Sequence, residues 1–142
     1  MTDETHENSN LRALEDGYKL WSAKDPAAVD YFLKLVHENV SWRSLADGAE
    51  AVEFTRAQTG VDGVRSYLEG LIADWELESY RVDEYVTQGD TIVVLAHCKF
   101  THRRTGVVLD TPKADIWKFK DGRVISFFEL YDTHNFVMAA RS

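Results

Sequence analysis

"KADIWKFKDGRVISFFELYD", residues 113–132, alternates apolar and polar positions, turns at Asp121-Gly122 and alternates again. Two period-two runs around an Asp-Gly pair read as a β-hairpin. In the first run Asp115 lies two residues from Trp117 and four from Phe119, so in a strand the three side chains share a face. Either that face is solvated, or the carboxylate lines an apolar cavity and has a task there. In a cavity its charged form is poorly solvated, which raises its pKa and suits acid or base work. The bland alternative is a structural tie to an arginine such as Arg43 or Arg81.

The turn decides what stands beside Asp115. A three-residue loop, Lys120-Asp121-Gly122, pairs Phe119 with Arg123 and puts Ile125, Phe127, Glu129 and Tyr131 on the Asp115 face. A two-residue loop slips the register by one, and Phe128, Leu130 and Asp132 point inward instead. The period of two alone leaves both loops open.

Upstream, "ELESYRVDEYV", "TIVVLAHCKFTHR" and "VVLDTPKADIWKF" also read as strands, punctuated at Gln88-Gly89-Asp90 and Arg104-Thr105-Gly106. "TIVVLAHCKF" is apolar on both faces and is expected to be a central strand. Before residue 76 the period is helical. Leu11, Leu14, Tyr18 and Trp21 form one stripe. Asp25-Pro26 opens a second helix with Val29, Phe32, Leu33 and Val36 inward. Asp62 caps a third, with Val64, Tyr67, Leu68, Leu71, Ile72 and Trp75 inward. Between them "NVSWRSL" (39–45) is a short strand, and "AVEFT" reads as another. "THNFVMAA" closes as a short helix, and residues 1–9 are expected to be a frayed or disordered tail. Helices followed by a meander imply a single α+β domain over 1–142: a cone-shaped, curved antiparallel (mixed) sheet closed by three N-terminal helices around an apolar cavity.

Composition narrows the function classes. A net charge of −8 disfavours nucleic acid and anionic membrane as partners. No run approaches the roughly 18 apolar residues of a membrane span. One cysteine, Cys98, allows no intrachain disulfide, and without an apolar leader the expected compartment is the cytoplasm. Cys98 reads as a small buried hydrophobe. The five histidines show no metal-ligand spacing, and glycine-rich phosphate loops and serine elbows are missing, so no metal and no cofactor are expected.

"LWSAKDPAAV", "ENVSWRS", "GVDGVRSYLEGL", "GDTIVVLAHCKF" and the opening stretch follow one another in an order that resembles the SnoaL-like branch of the nuclear transport factor 2-like superfamily. That group includes ketosteroid isomerases, limonene-epoxide hydrolases and polyketide cyclases, and the resemblance covers roughly residues 11–140. It implies a cone-shaped barrel and often a homodimer through the sheet, and its alignment makes the three-residue Lys120-Asp121-Gly122 loop the expectation for the hairpin. The Asp115-to-Phe119 spacing is similar to the isomerase strand whose aspartic acid stays protonated and donates to the substrate oxyanion. The isomerase's base falls on Ser44, which cannot serve. Its oxyanion tyrosine falls on or beside Gly17, with Tyr18 one position off. The hydrolase's Arg and Asp, two apart, have no counterpart in "AHC" (96–98), and "LYD" (130–132) only partly echoes its closing element.

The expected function is therefore a small, cofactor-independent enzyme of isomerase, cyclase or dehydratase type, acting on an apolar, oxygen-bearing metabolite. Asp115, Glu129 and Tyr131 are the candidate catalytic residues. Tyr18, Trp21, Trp42, Trp117, Phe119, Phe127 and His97 are the candidate substrate contacts. Aromatics at helical spacing are more often core than ligand walls, and His97 could equally be packed under a helix or at a dimer contact. The competing reading is a non-catalytic binding or dimeric accessory domain. An open cavity with Asp115 unpaired favours the enzyme; a collapsed cone with Asp115 tied to an arginine favours the alternative.

Overall fold

Periodicity sorts the chain into two helical hairpin arms, a strand, a third helix and a meander. The computed structural model describes residues 3–142. Helices α1 (Asp3–Ser22) and α2 (Ala28–Leu35) lead into strand β1 (Val36–Ser44). A short strand β2 (Gln58–Thr59) precedes α3 (Gly60–Asp74). Strands β3 (Trp75–Gln88), β4 (Thr91–His102), β5 (Val108–Lys120) and β6 (Arg123–Leu130) follow, then helix α4 (Thr133–Arg141). The six strands form one open mixed sheet in the order β2-β1-β6-β5-β4-β3, with β1 parallel to β6 and the other pairs antiparallel. The expected α+β architecture is present, with β4 an interior strand between β3 and β5. Among the described residues no helix is long and apolar enough to cross a membrane.

Several boundaries differ from expectation. The polar tail continues α1 back to Asp3, while residues 1 and 2 lie outside the described residues. Val36 and Trp75 are buried as expected but begin strands, and Ile72 is 42% exposed at the end of α3. The "AVEFT" stretch is a turn of 3-10 helix, Glu53–Thr55, not a strand. Asp25 holds the turn before α2: its carboxylate accepts from the Ala27 N–H at 2.8 Å, and α2 starts at Ala28. Thr59, not Asp62, is the N-cap residue of α3.

The α1–α2 junction fixes two side chains that matter below. Asp25 N–H donates to Leu20 O and Lys24 N–H to Trp21 O, both at 3.0 Å, with Lys24 left-handed at φ 58°. That is a Schellman end, built on lysine where glycine is usual, and it holds Trp21 in the last turn of α1. At Gly17 a Cβ would stand 2.6 Å from the Phe32 ring, so glycine allows the close helix approach. Tyr18, the next residue, is then directed at the sheet.

The 113–132 hairpin combines features of both expected registers. The loop is two residues, Asp121 (φ 51°) and Gly122 (φ 79°), both left-handed as a type I′ turn requires, with Lys120 paired to Arg123. The three-residue loop is thus corrected. Phe119 pairs with Val124, but Lys118 pairs with Ser126, so Ile125 is an extra residue in β6. This bulge shifts the register by one and sets Asp115 directly opposite Glu129. Without it Asp115 would face Phe128, and Glu129 would point out of the cone.

Candidate active site

Register builds the site from the sheet upward. Paired residues point the same way, so two cross-strand rows line the concave face: Ser44, Glu129, Asp115 and Val94, and beside them Trp42, Phe127, Trp117 and Ile92. Lys113 precedes Asp115 by two residues and lies on the same face. Helices α1 and α3 lay Tyr18 and Tyr67 over these rows, and Tyr80 reaches in from β3.

The result is a buried polar cluster in an aromatic cone. The Lys113 ammonium is 3.0 Å from Asp115 Oδ1 and 3.3 Å from Glu129 Oε1. It also donates to the Tyr80 hydroxyl at 3.3 Å and lies 5.4 Å from the centre of that ring. Asp115 Oδ2 accepts two phenol protons, from Tyr18 at 2.5 Å and Tyr80 at 3.0 Å. The Tyr18 oxygen in turn accepts from the Trp117 indole N–H at 2.9 Å. Glu129 Oε2 accepts from Tyr67 at 3.1 Å, and the Ser44 and Tyr131 hydroxyls share a hydrogen bond of 2.6 Å. Asp115 is 1% exposed and Glu129 8%.

Burial and charge set the protonation states. For Lys113, burial alone pushes the ammonium pKa down, but Asp115 and Glu129 overcome it and hold the value well above the ordinary lysine range. The group is a fixed cation and not a free amine, which removes Schiff-base chemistry at neutral pH. Glu129 has its pKa raised by burial, and Asp115 adds to the rise, while Lys113 and Tyr67 oppose it. Tyr18, Tyr67 and Tyr80 are raised well above the usual phenol value, burial first and a neighbouring carboxylate second, so they act as neutral donors. Burial likewise pushes the Cys98 thiol up to about 12, which leaves it inert as expected.

One cation between two carboxylates leaves a surplus negative charge. Glu129 carries it, because Asp115 has the lysine and two phenols on it, whereas Glu129 has one phenol and the longer ion-pair contact. A buried carboxyl with a raised pKa beside a fixed cation can exchange a proton with a bound molecule while the cation stabilises negative charge on an oxygen.

The expected site residues separate cleanly. Tyr18, Trp21, Trp42, Asp115, Trp117, Phe127, Glu129 and Tyr131 all line the cone. Phe119 does not: it is a core residue near the turn, paired with Val124 beyond Trp117. His97 is not in the cone either. Strand alternation puts it on the far face of the sheet, half-buried and paired with Asp110. Tyr18, one position from the isomerase tyrosine by resemblance, is one of the two tyrosines that meet Asp115. Asp115 is tied, but to Lys113 and not to Arg43 or Arg81. Lys113, Tyr67 and Tyr80 were not expected. Lys113 carried a signal, since alternation puts it on the Asp115 face; Tyr67 looked like one more core position of a helical stripe.

The cone is narrow. Its free space is about 70 Å³, several-fold below the roughly 300–1,000 Å³ of ordinary ligand pockets. The rings of Trp42 and Phe127, stacked at 4.0 Å between centroids, fill much of the floor.

Residues 14–127 match the family described as the SnoaL-like domain. None of the curated proteins matches. Among solved structures, an NTF2-like protein of unknown function from Burkholderia pseudomallei is 21% identical and superposes with a TM-score of 0.82, over 94% of this chain and 98% of that one. TerC, co-crystallised with polyporic acid, is 22% identical with a TM-score of 0.76, covering 94% of this chain and 99% of its own. A candidate SnoaL-like polyketide cyclase from Jannaschia sp. CCS1 is 14% identical with a TM-score of 0.76, covering 96% and 94%. At these identities the likeness establishes the fold.

Proposed function

We propose a general acid/base function for this chain, which belongs to the SnoaL-like domain family: proton transfer on a small, apolar, oxygen-bearing molecule without a cofactor. The observation that carries it is the Lys113 ammonium, 3.0 Å from Asp115 and 3.3 Å from Glu129 in an aromatic cone. Such a cluster is a poor device for stability, because a buried ion triad replaced as a whole by well-packed apolar groups commonly costs little or nothing. As a site it has clear parts. Glu129 takes a proton from the carbon beside a carbonyl; the C–H bond breaks, an O–H bond forms on Glu129, and the electron pair moves onto the carbonyl oxygen as an enolate. Lys113 and a neighbouring phenol stabilise that oxygen. Return of the proton to another atom completes an isomerisation. Asp115 touches the lysine and two tyrosines and positions them; that is a different role from the acid expected from the hairpin alone.

The experiment is solvent exchange. Aryl ketones with enolisable hydrogens are incubated with the protein in D₂O and followed by ¹H NMR. Incorporation above the buffer rate for at least one ketone is expected; a panel that exchanges only at the buffer rate removes the enolisation reading.

A second reading has support from the narrow cone and the tied Asp115: a non-catalytic binding domain of the same fold. It predicts ligand affinity without any proton exchange.

We also assign the far face of the sheet to a homodimer. It exposes Val86 and Leu95 and half-buries Ile116 and Phe128, with the Arg43 guanidinium 4.7 Å from the Phe128 ring centre. Leu95→Glu is expected to shift the species seen by light scattering from dimer to monomer. A wild type that is monomeric at tens of micromolar would exclude the assignment.

A further inference from the structure

A second cavity adjoins the cone and has the volume the cone lacks. It lies between the C-terminal ends of α1 and α3 and the start of β3, and holds about 320 Å³. Its walls include Val29, Ile72, Trp75 and Leu77. Trp21, Leu71 and Phe100 line both it and the cone, so these three side chains form the partition. Two of them, Trp21 and Leu71, are only half-buried and sit in the last turns of their helices. Helix ends open more easily than helix middles, so these two side chains are the part of the partition least tied to the sheet.

The rim carries two charges of each sign, Lys24, Asp25, Glu76 and Arg103. Arg103 braces it, donating to Ile72 O at 2.9 Å and standing 3.8 Å from Glu76. A rim balanced in charge over apolar walls selects an uncharged body.

We infer that this outer cavity is the second half of the ligand site, and that the ligand is an elongated molecule with one oxygen-bearing end in the cone and an uncharged apolar body lying past Trp21 and Leu71. The inference rests on the acid/base reading of the cone for its polar end. The division fits the two spaces: the cone accommodates a head group only, and the outer cavity falls at the lower edge of the roughly 300–1,000 Å³ expected for a ligand pocket.

The test is a homologous series of phenol, 4-ethylphenol and 4-butylphenol, titrated by calorimetry into wild type, Glu129→Gln and Ile72→Trp. Ile72 is 42% exposed, so tryptophan there fills the outer cavity without entering the core. In wild type each added methylene is expected to tighten binding about fourfold, which makes butylphenol about two-hundredfold tighter than phenol. Ile72→Trp is expected to cut that ratio to under about tenfold. A flat series in wild type, or a full ratio surviving in Ile72→Trp, overturns the outer cavity as part of the site. Phenol's own affinity reports the cone separately: if Glu129→Gln leaves it unchanged, the polar-end reading fails even where the chain-length ratio holds.

Discussion

Lys113→Met should cost about 3–5 kcal/mol of stability at pH 7–8, the usual penalty for breaking a buried ion pair by removing one partner. Methionine keeps the approximate length and volume of the stem, so the loss is electrostatic and not a cavity effect: the two ion pairs go, and with them the ammonium's approach to the Tyr80 and Phe127 rings. What remains is two carboxylates on opposite strands with no cation between them. The pH dependence follows from Glu129. Its folded pKa already lies above the ordinary 4.5, and Lys113 is the main influence holding it down. Removing the lysine raises it further, so the folded variant binds a proton that the unfolded chain releases. Stability is then greatest below the unfolded value near 4.5 and is lost as pH rises through the folded one. The difference from wild type should therefore narrow between pH 7 and pH 4.5. Urea titrations at the two pH values measure it; an equal deficit at both would show that the lysine contributes packing alone.

Glu129→Gln should have opposite effects on activity and stability. Turnover of an exchanging ketone is expected to fall by about 10²–10⁴, the contribution of one positioned acid or base. The amide keeps an oxygen for the Tyr67 hydroxyl and leaves Lys113 paired with Asp115. The surplus negative charge disappears, so the variant should be as stable as wild type or more so at pH 8. Sites shaped for function commonly trade stability in this way. A residue that merely ties the sheet together would give the reverse: lower thermal stability with unchanged exchange.

The hairpin shows how far sequence could be read and where it stopped. Alternation puts Asp115 on one face with Trp117 without deciding whether that face is solvated, and the meander and helical stripes lead to the observed α+β cone. The partner of Asp115 was a question of register, which a period of two cannot settle when an extra residue enters one strand. Asp121-Gly122 makes the short turn its composition favours, and the bulge at Ile125 then restores Glu129 to the inner face. Nothing in "GRVISFF" marks that bulge; it follows from pairing across two strands. Lys113 was legible by the alternation that revealed Asp115. Its type spoke against it, since a lysine in a strand is usually a solvated residue, and two buried carboxylates are needed to keep its charge inside. His97 shows the converse: its run is apolar on both faces, so periodicity could not say which face met the cone. The partition at Trp21 and Leu71 joins elements far apart in the chain and has no local signature.

The central claim is that Glu129 is a buried carboxyl carrying the surplus charge of the cluster, available for proton exchange. Titration of the Glu129 side-chain carboxyl by ¹³C NMR, assigned by comparison with Glu129→Gln, tests it without any substrate. The expected midpoint lies above the ordinary 4.5 and moves further up in Lys113→Met; a midpoint at or below 4.5 would make Glu129 an ion-pair partner of Lys113 and leave the cone without its base.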